Sequence, residues 1–130
     1  MLKYKTLYIC VLLAGLVGAS HAAAQQGDML KDMALPLMGG LAENSDGAML
    51  FDSPEGRIIN AEASGMLAAK DVYEYYRVVL PSLGWSVERG APCDVNVSFC
   101  IKATRDAENL LLDIASAGNK STVTYALAPN

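Results

Sequence analysis

Val72-Tyr-Glu-Tyr-Tyr-Arg-Val-Val-Leu-Pro-Ser-Leu-Gly-Trp85 is the stretch that decides how this chain reads. Val72, Tyr75, Tyr76, Val79, Leu80 and Leu83 recur at helical spacing and form one apolar stripe. Pro81 has no N–H to give and disfavours α geometry at Leu80, so the regular helix is expected to end or kink there. Gly84 supplies a permissive backbone for the turn, and Trp85 opens an extended run. Downstream the apolar residues alternate with period two. The pattern is that of a helix laid on a sheet.

Three alternating runs follow. Val97, Phe99, Ile101 and Ala103 share one side of the first, and Leu110, Leu112 and Ile114 share one side of the second. Val123, Tyr125 and Leu127 do the same in the third. The polar turns Arg105-Asp106-Ala107-Glu108 and Gly118-Asn119 are short, which implies an antiparallel meander. Upstream, Ala48 to Asp52 and Arg57 to Ser64 flank Ser53-Pro54-Glu55-Gly56. Proline second and glycine fourth suit a type I turn, so this pair reads as a hairpin. Ile59, Ala61 and Ala63 share a face of its second arm, where small side chains leave room beneath a helix. Residues 48–130 are therefore expected to form one α+β domain. It has an antiparallel sheet of about five to six strands, with one helix (about 69–83) packed on one face. Residues 25–47, interrupted by Pro36, Gly39-Gly40 and Asn44-Ser45-Asp46-Gly47, read as a flexible lead-in.

The first 24 residues read as a signal peptide. Lys3 and Lys5 precede the apolar run Leu7 to Gly18, and the small residues from Ala19 to Ala24 offer cleavage after Ala22 or Ala24. That run is shorter than the roughly 20 residues a bilayer span needs. An uncleaved anchor is the rival reading. Cys10 lacks the small preceding residues of a lipidation site. The expected location is the periplasm, with no membrane span after cleavage.

Losing Lys3 and Lys5 leaves 8 of the 10 basic residues against 14 acidic ones, a net charge of −6. The remaining cations are scattered along the chain, which excludes nucleic acid and anionic membrane surfaces as principal partners. The single histidine, His21, falls in the leader. Imidazole acid–base chemistry, Ser-His-Asp and Cys-His nucleophiles and His-bearing metal sites are thereby removed together. An enzyme built on this chain would have to use carboxylates, Lys, Tyr or Ser. No catalytic residue, cofactor or metal ligand is assigned. Met29, Met33 and Met38 invite a copper(I) reading, but their spacing is irregular and adaptable packing explains them as well. Asp106, Glu108 and Asp113 lack the oxygen density of a calcium loop. Asn96-Val97-Ser98 and Asn119-Lys120-Ser121 match a glycosylation sequon that matters only in a glycosylating host, and the leader looks bacterial.

Cys93 and Cys100 are the cysteines left after the leader. In an oxidising compartment they read most simply as a disulfide, with free or partner-linked thiols and redox catalysis as alternatives. A bond requires Cα atoms within about 7 Å, whereas seven steps of strand span roughly 23 Å. Asp94 to Ser98 must then curl, and the strand must start near Phe99.

Tyr73 and Arg77 sit one turn apart on a flank of the helical stripe, a ring–guanidinium spacing. Tyr73, Arg77 and Arg57 are the candidate partner-binding residues, since Tyr and Arg are favoured at interfaces. Arg57, beside Asp52 and Glu55, is expected either to pair with those acids or to serve an anion site.

Two motifs carry a resemblance, Phe51-Asp52-x-Pro54-x-Gly56-Arg57-Ile58 and Tyr75-Tyr76-x-x-x-Leu80-Pro81-x-Leu83-Gly84-Trp85. Together with the strands behind them, over roughly residues 35–128, they resemble a group of small exported proteins from alphaproteobacteria. The resemblance implies a compartment and an α+β fold, and no chemistry; it does not extend to the Cys93/Cys100 pair. The leading functional expectation is a non-enzymatic periplasmic protein that binds a partner protein or a cell-envelope component. A small ligand held between helix and sheet is the alternative, and a His-free enzyme is the third reading.

Overall fold

A computed structural model describes residues 28–130. The expected leader lies outside the described residues, as do Cys10 and His21. The elements in chain order are β1 (Ala42–Glu43), a 3₁₀ turn (Ser45–Gly47), β2 (Met49–Ser53), β3 (Gly56–Gly65), α1 (Ala69–Ser82), β4 (Ser86–Val87), β5 (Phe99–Arg105), β6 (Glu108–Ala117) and β7 (Lys120–Pro129). All seven strands join one antiparallel sheet in the order β1-β3-β7-β6-β5-β4, with β2 also on β3. The fold is α+β, as expected, with more strands than expected because β1 and β4 are only two residues long.

The topology follows from the crossing made by the helix. β3 lies towards one side of the sheet and β4 at the opposite edge, and α1 carries the chain between them over β7, β6 and β5. The meander β5-β6-β7 then fills the gap and closes against β3, where Ala61 faces Tyr125 and Ala63 faces Val123. The predicted hairpin is present, with Ser53 opposite Gly56 and a two-residue loop.

Helix α1 buries Ala69, Val72, Tyr76 and Leu80, while Tyr75 and Val79 pack at the margin of the core. Pro81 falls in the last turn, where the missing N–H costs one bond, and the helix stops one residue later. Its end is a Schellman motif. The Gly84 amide donates to the Pro81 carbonyl at 3.1 Å, and the Trp85 amide donates to the Leu80 carbonyl at 3.1 Å. Gly84 at φ +86° makes that reversal possible.

Residues 28–47, read from sequence as a flexible lead-in, are built into the fold from Asp28 onward. Leu30, Met33, Leu35, Leu37 and Leu41 belong to the same buried cluster as the helix and sheet side chains. The Leu30 amide donates to the Leu35 carbonyl at 2.8 Å, and the Leu37 amide donates to the Asp28 carbonyl at 2.7 Å. These two bonds close a tight loop that presents its leucines to the core. Met33 has the packing role, while Met29 is exposed.

The loop is locked by a buried hydroxyl chain. The Tyr76 hydroxyl donates to the Pro36 carbonyl at 2.9 Å. With its proton so used, it accepts from the Tyr125 hydroxyl at 2.6 Å. The two rings meet edge to face, with centroids 5.7 Å apart. Loop, helix and sheet thus meet at one point. Burial pushes the Tyr76 hydroxyl up to about 12, against the partial relief of hydrogen bonds from Tyr125 and the Met38 backbone. Burial likewise raises Tyr125, with Tyr76 adding to the effect.

These shifts predict an alkaline transition. Above about pH 10 the unfolded chain gives up its tyrosine protons while folded Tyr76 keeps its own, so the folded state binds more protons and stability falls as pH rises. Urea unfolding is expected to give constant stability up to about pH 9.5 and a loss of about 3 kcal/mol or more between about pH 10 and 12. In the Tyr76→Phe, Tyr125→Phe double variant that step should be largely absent.

Candidate functional site

The β4 edge of the sheet carries a groove of about 590 Å3 between the strand and the flank of α1 from Tyr73 to Pro81. Tyr73, Arg77 and Pro81 form the helix wall, and the run from Trp85 to Gly90 forms the other. β4 ends at Val87, and Arg89 lies in the turn that follows, where it lines the groove with Tyr73 and Arg77. A shallower depression of about 140 Å3 shares Tyr73, Glu88 and Gly90 with the groove and continues it to Cys93, Ser98 and Cys100. Tyr73 stands where the two meet.

Each wall is held by identifiable contacts. The Tyr73 ring stacks on Phe99 with centroids 5.1 Å apart and planes at 23°. The Trp85 ring is buried, and the Arg105 guanidinium lies 4.3 Å from its centre. Arg105 also donates to the Leu83 carbonyl at 3.1 Å, so it fastens β5 to the end of the helix. The Glu88 amide donates to the Lys102 carbonyl at 2.8 Å, which extends the β4–β5 pairing by one rung. The indole N–H of Trp85 is buried without a protein acceptor among the described residues.

Cys93 and Cys100 stand at disulfide-bonding distance, with Cα atoms 5.5 Å apart. The geometric condition is met as expected: Asp94 to Val97 turn, the Val97 amide donates to the Asp94 carbonyl at 3.1 Å, and the strand begins at Phe99. The cross-link fixes the loop that forms the far end of the site. At its tip Val95 is 98% exposed, with no core to account for it.

The three candidate binding residues do not come together. Tyr73 and Arg77 share the groove. They are not stacked on each other, because the Tyr73 ring is held by Phe99 and the Arg77 guanidinium by Glu74, through Nε at 3.1 Å and Nη2 at 2.9 Å. Arg57 lies in a separate depression of about 400 Å3 beside the β2–β3 turn. There it pairs with Glu108 at 2.9 Å and not with Asp52 or Glu55. Glu108 also reaches Arg105 at 3.9 Å, so Arg57 belongs to a chain of charges that braces the sheet below the helix end. Exposed pairs of this kind are worth about 0–1 kcal/mol each.

The sequence reading missed Arg89, Trp85 and the disulfide loop as parts of one site. Arg89 makes no ion pair among the described residues. Ala61 and Ala63 lie inside the core cluster along with the lead-in leucines. Asp113, on the face of the sheet away from the helix, is raised by partial burial and by Asp94, with Lys102 opposing. No three His, Cys, Asp or Glu side chains gather as a metal-binding group among the described residues. No described helix is long and apolar enough to cross a membrane. No family model, curated protein or solved structure matches the chain.

The arrangement suits recognition. It offers an aromatic face and a guanidinium with no acidic partner among the described residues, beside a cross-linked loop. Reduction of the disulfide is expected to lower stability by about 2.5 kcal/mol for a loop of this length. The measurement is the urea midpoint with and without reductant, and the Cys93→Ser, Cys100→Ser double variant should match the reduced protein.

Proposed function

We propose that this is a non-enzymatic periplasmic protein that binds a partner protein or cell-envelope component through the groove centred on Tyr73. The leader-like N-terminus supports the compartment, and the lack of histidine outside it supports binding over catalysis. The observation that carries the reading is Arg89, a cation with no ion pair among the described residues, on the wall of a groove that also presents Tyr73 and Trp85. A groove that sets a ring beside a guanidinium fits a segment bearing a carboxylate. Such a segment packs on Tyr73 and sets its acid against Arg89.

Affinity capture from envelope extracts tests this with the wild type and with Tyr73→Ala and Arg89→Glu variants. Both side chains lie at the surface or the core margin, so the variants are expected to keep the fold, checked by circular dichroism. The wild type should retain a component that each variant loses by at least about tenfold in affinity, the effect of removing one anchor residue. Equal retention by all three proteins, or no specific retention by the wild type, would overturn the reading.

A further inference from the structure

The opposite side of the sheet carries a second surface, unrelated to the groove. Strand β2 pairs with β3 along one edge and has no partner on the other among the described residues. Its three consecutive apolar residues Met49, Leu50 and Phe51 are 52%, 52% and 56% exposed. The register puts Met49 and Phe51, opposite Asn60 and Ile58, on the face away from the helix, and Leu50, opposite Ile59, on the helix face. Both faces of this edge are therefore uncovered. Edge strands are ordinarily blunted by lysine, proline, a bulge or extreme shortness. β4 is blunted by its two-residue length, whereas β2 has five residues with Asp52 as its one charge and no lysine or proline.

We propose that β2 is a self-association edge. Two copies pair β2 to β2, antiparallel, about a two-fold axis through Leu50, joining two seven-stranded sheets into one.

The sequence around the axis argues for a second copy as the occupant. A two-fold axis normal to the sheet keeps the helix faces on one side, so only residues of like parity pair. Centred on Leu50, it sets Leu50 against Leu50 and Met49 against Phe51 of the other copy. Asp52 then meets Ala48, while Asp46 and Glu55 lie outside the strand in the 3₁₀ turn and the hairpin loop. No acid faces an acid, although the chain is strongly acidic. Moving the centre to Phe51 sets Asp52 against Leu50, and moving it to Met49 sets Phe51 against Gly47. Only the Leu50 centre matches the apolar triad to itself. Ile58, 36% exposed, extends the patch next to Phe51. A five-residue edge is small beside the roughly 800 Å2 per partner of a standard interface, so the dimer is reversible.

Sedimentation velocity of the purified protein from about 5 to 500 µM tests this. The wild type should pass from monomer to dimer over that range, and Leu50→Lys and Phe51→Lys should remain monomeric with an unchanged thermal midpoint. Oxidative crosslinking fixes the register. Leu50→Cys should link to itself several-fold faster than Asp52→Cys, which the axis sets opposite Ala48. A wild type that stays monomeric at the highest concentration would overturn the proposal. So would a dimer that survives Leu50→Lys, or equal crosslinking of the two cysteine variants. A monomer whose β2 amides are protected from exchange would assign the edge to the chain's own N-terminal residues and also refute it.

Discussion

The fold depends on a buried hydroxyl chain, Tyr125 to Tyr76 to the Pro36 carbonyl. Each link belongs to a different part of the protein: Tyr125 to the central strand β7, Tyr76 to the helix and Pro36 to the segment before the sheet. A buried hydroxyl left unpaired costs about 1–3 kcal/mol, so the three parts hold one another in register. If the Pro36 loop lifts away, the Tyr76 proton loses its acceptor inside the core. The loop needs such a constraint. Ala34 sits at φ +53°, a conformation that costs an alanine about 1 kcal/mol. Its own hydrogen bonds are few, and the core supplies what local propensity does not.

From that lock the rest of the geometry follows outward. With Tyr76 fixed over β7, the helix axis is set across the meander and its last turn is delivered to the β4 edge. The Schellman reversal at Gly84 then drops Trp85 into the core, and Arg105 covers the ring while holding the Leu83 carbonyl. The groove exists because the chain leaves the helix there and runs back along its flank as Ser86–Gly90. The disulfide loop closes the far end and keeps Tyr73 and Phe99 stacked at its margin. The recognition surface is thus a consequence of how the helix ends.

Periodic segments were legible in the sequence, and contacts between distant segments were not. The stripe Val72, Tyr76 and Leu80 and the alternations Leu110-Leu112-Ile114 and Val123-Tyr125-Leu127 specify their elements because one face of each is buried. The curled loop before Phe99 was legible from cysteine geometry alone. Residues 28–41 were not: Met33, Leu35 and Leu37 alternate, but Leu30 does not, and Pro36 and Gly39-Gly40 interrupt the run. Their burial is decided by a turn that the core stabilises. The partner of Arg57 was equally hidden. Asp52 and Glu55 are near in sequence, but Glu108 lies across β7 on another strand, and only the assembled sheet brings it to 2.9 Å. In the groove, Tyr73 and Arg77 were found from helical spacing, whereas Arg89 needed the position of β4 beside the helix.

The central claim is that the segment from Asp28 to Leu41 is part of the cooperative core and not an appendage. Native-state hydrogen exchange tests it most directly, through the Leu30 and Leu37 amides compared with those of β7. The account predicts that these amides open with free energies within about 1 kcal/mol of the β7 strand, and that Tyr76→Phe lowers both sets together. Exchange at Leu30 and Leu37 near the rates of an unstructured chain, with β7 still protected, would contradict it.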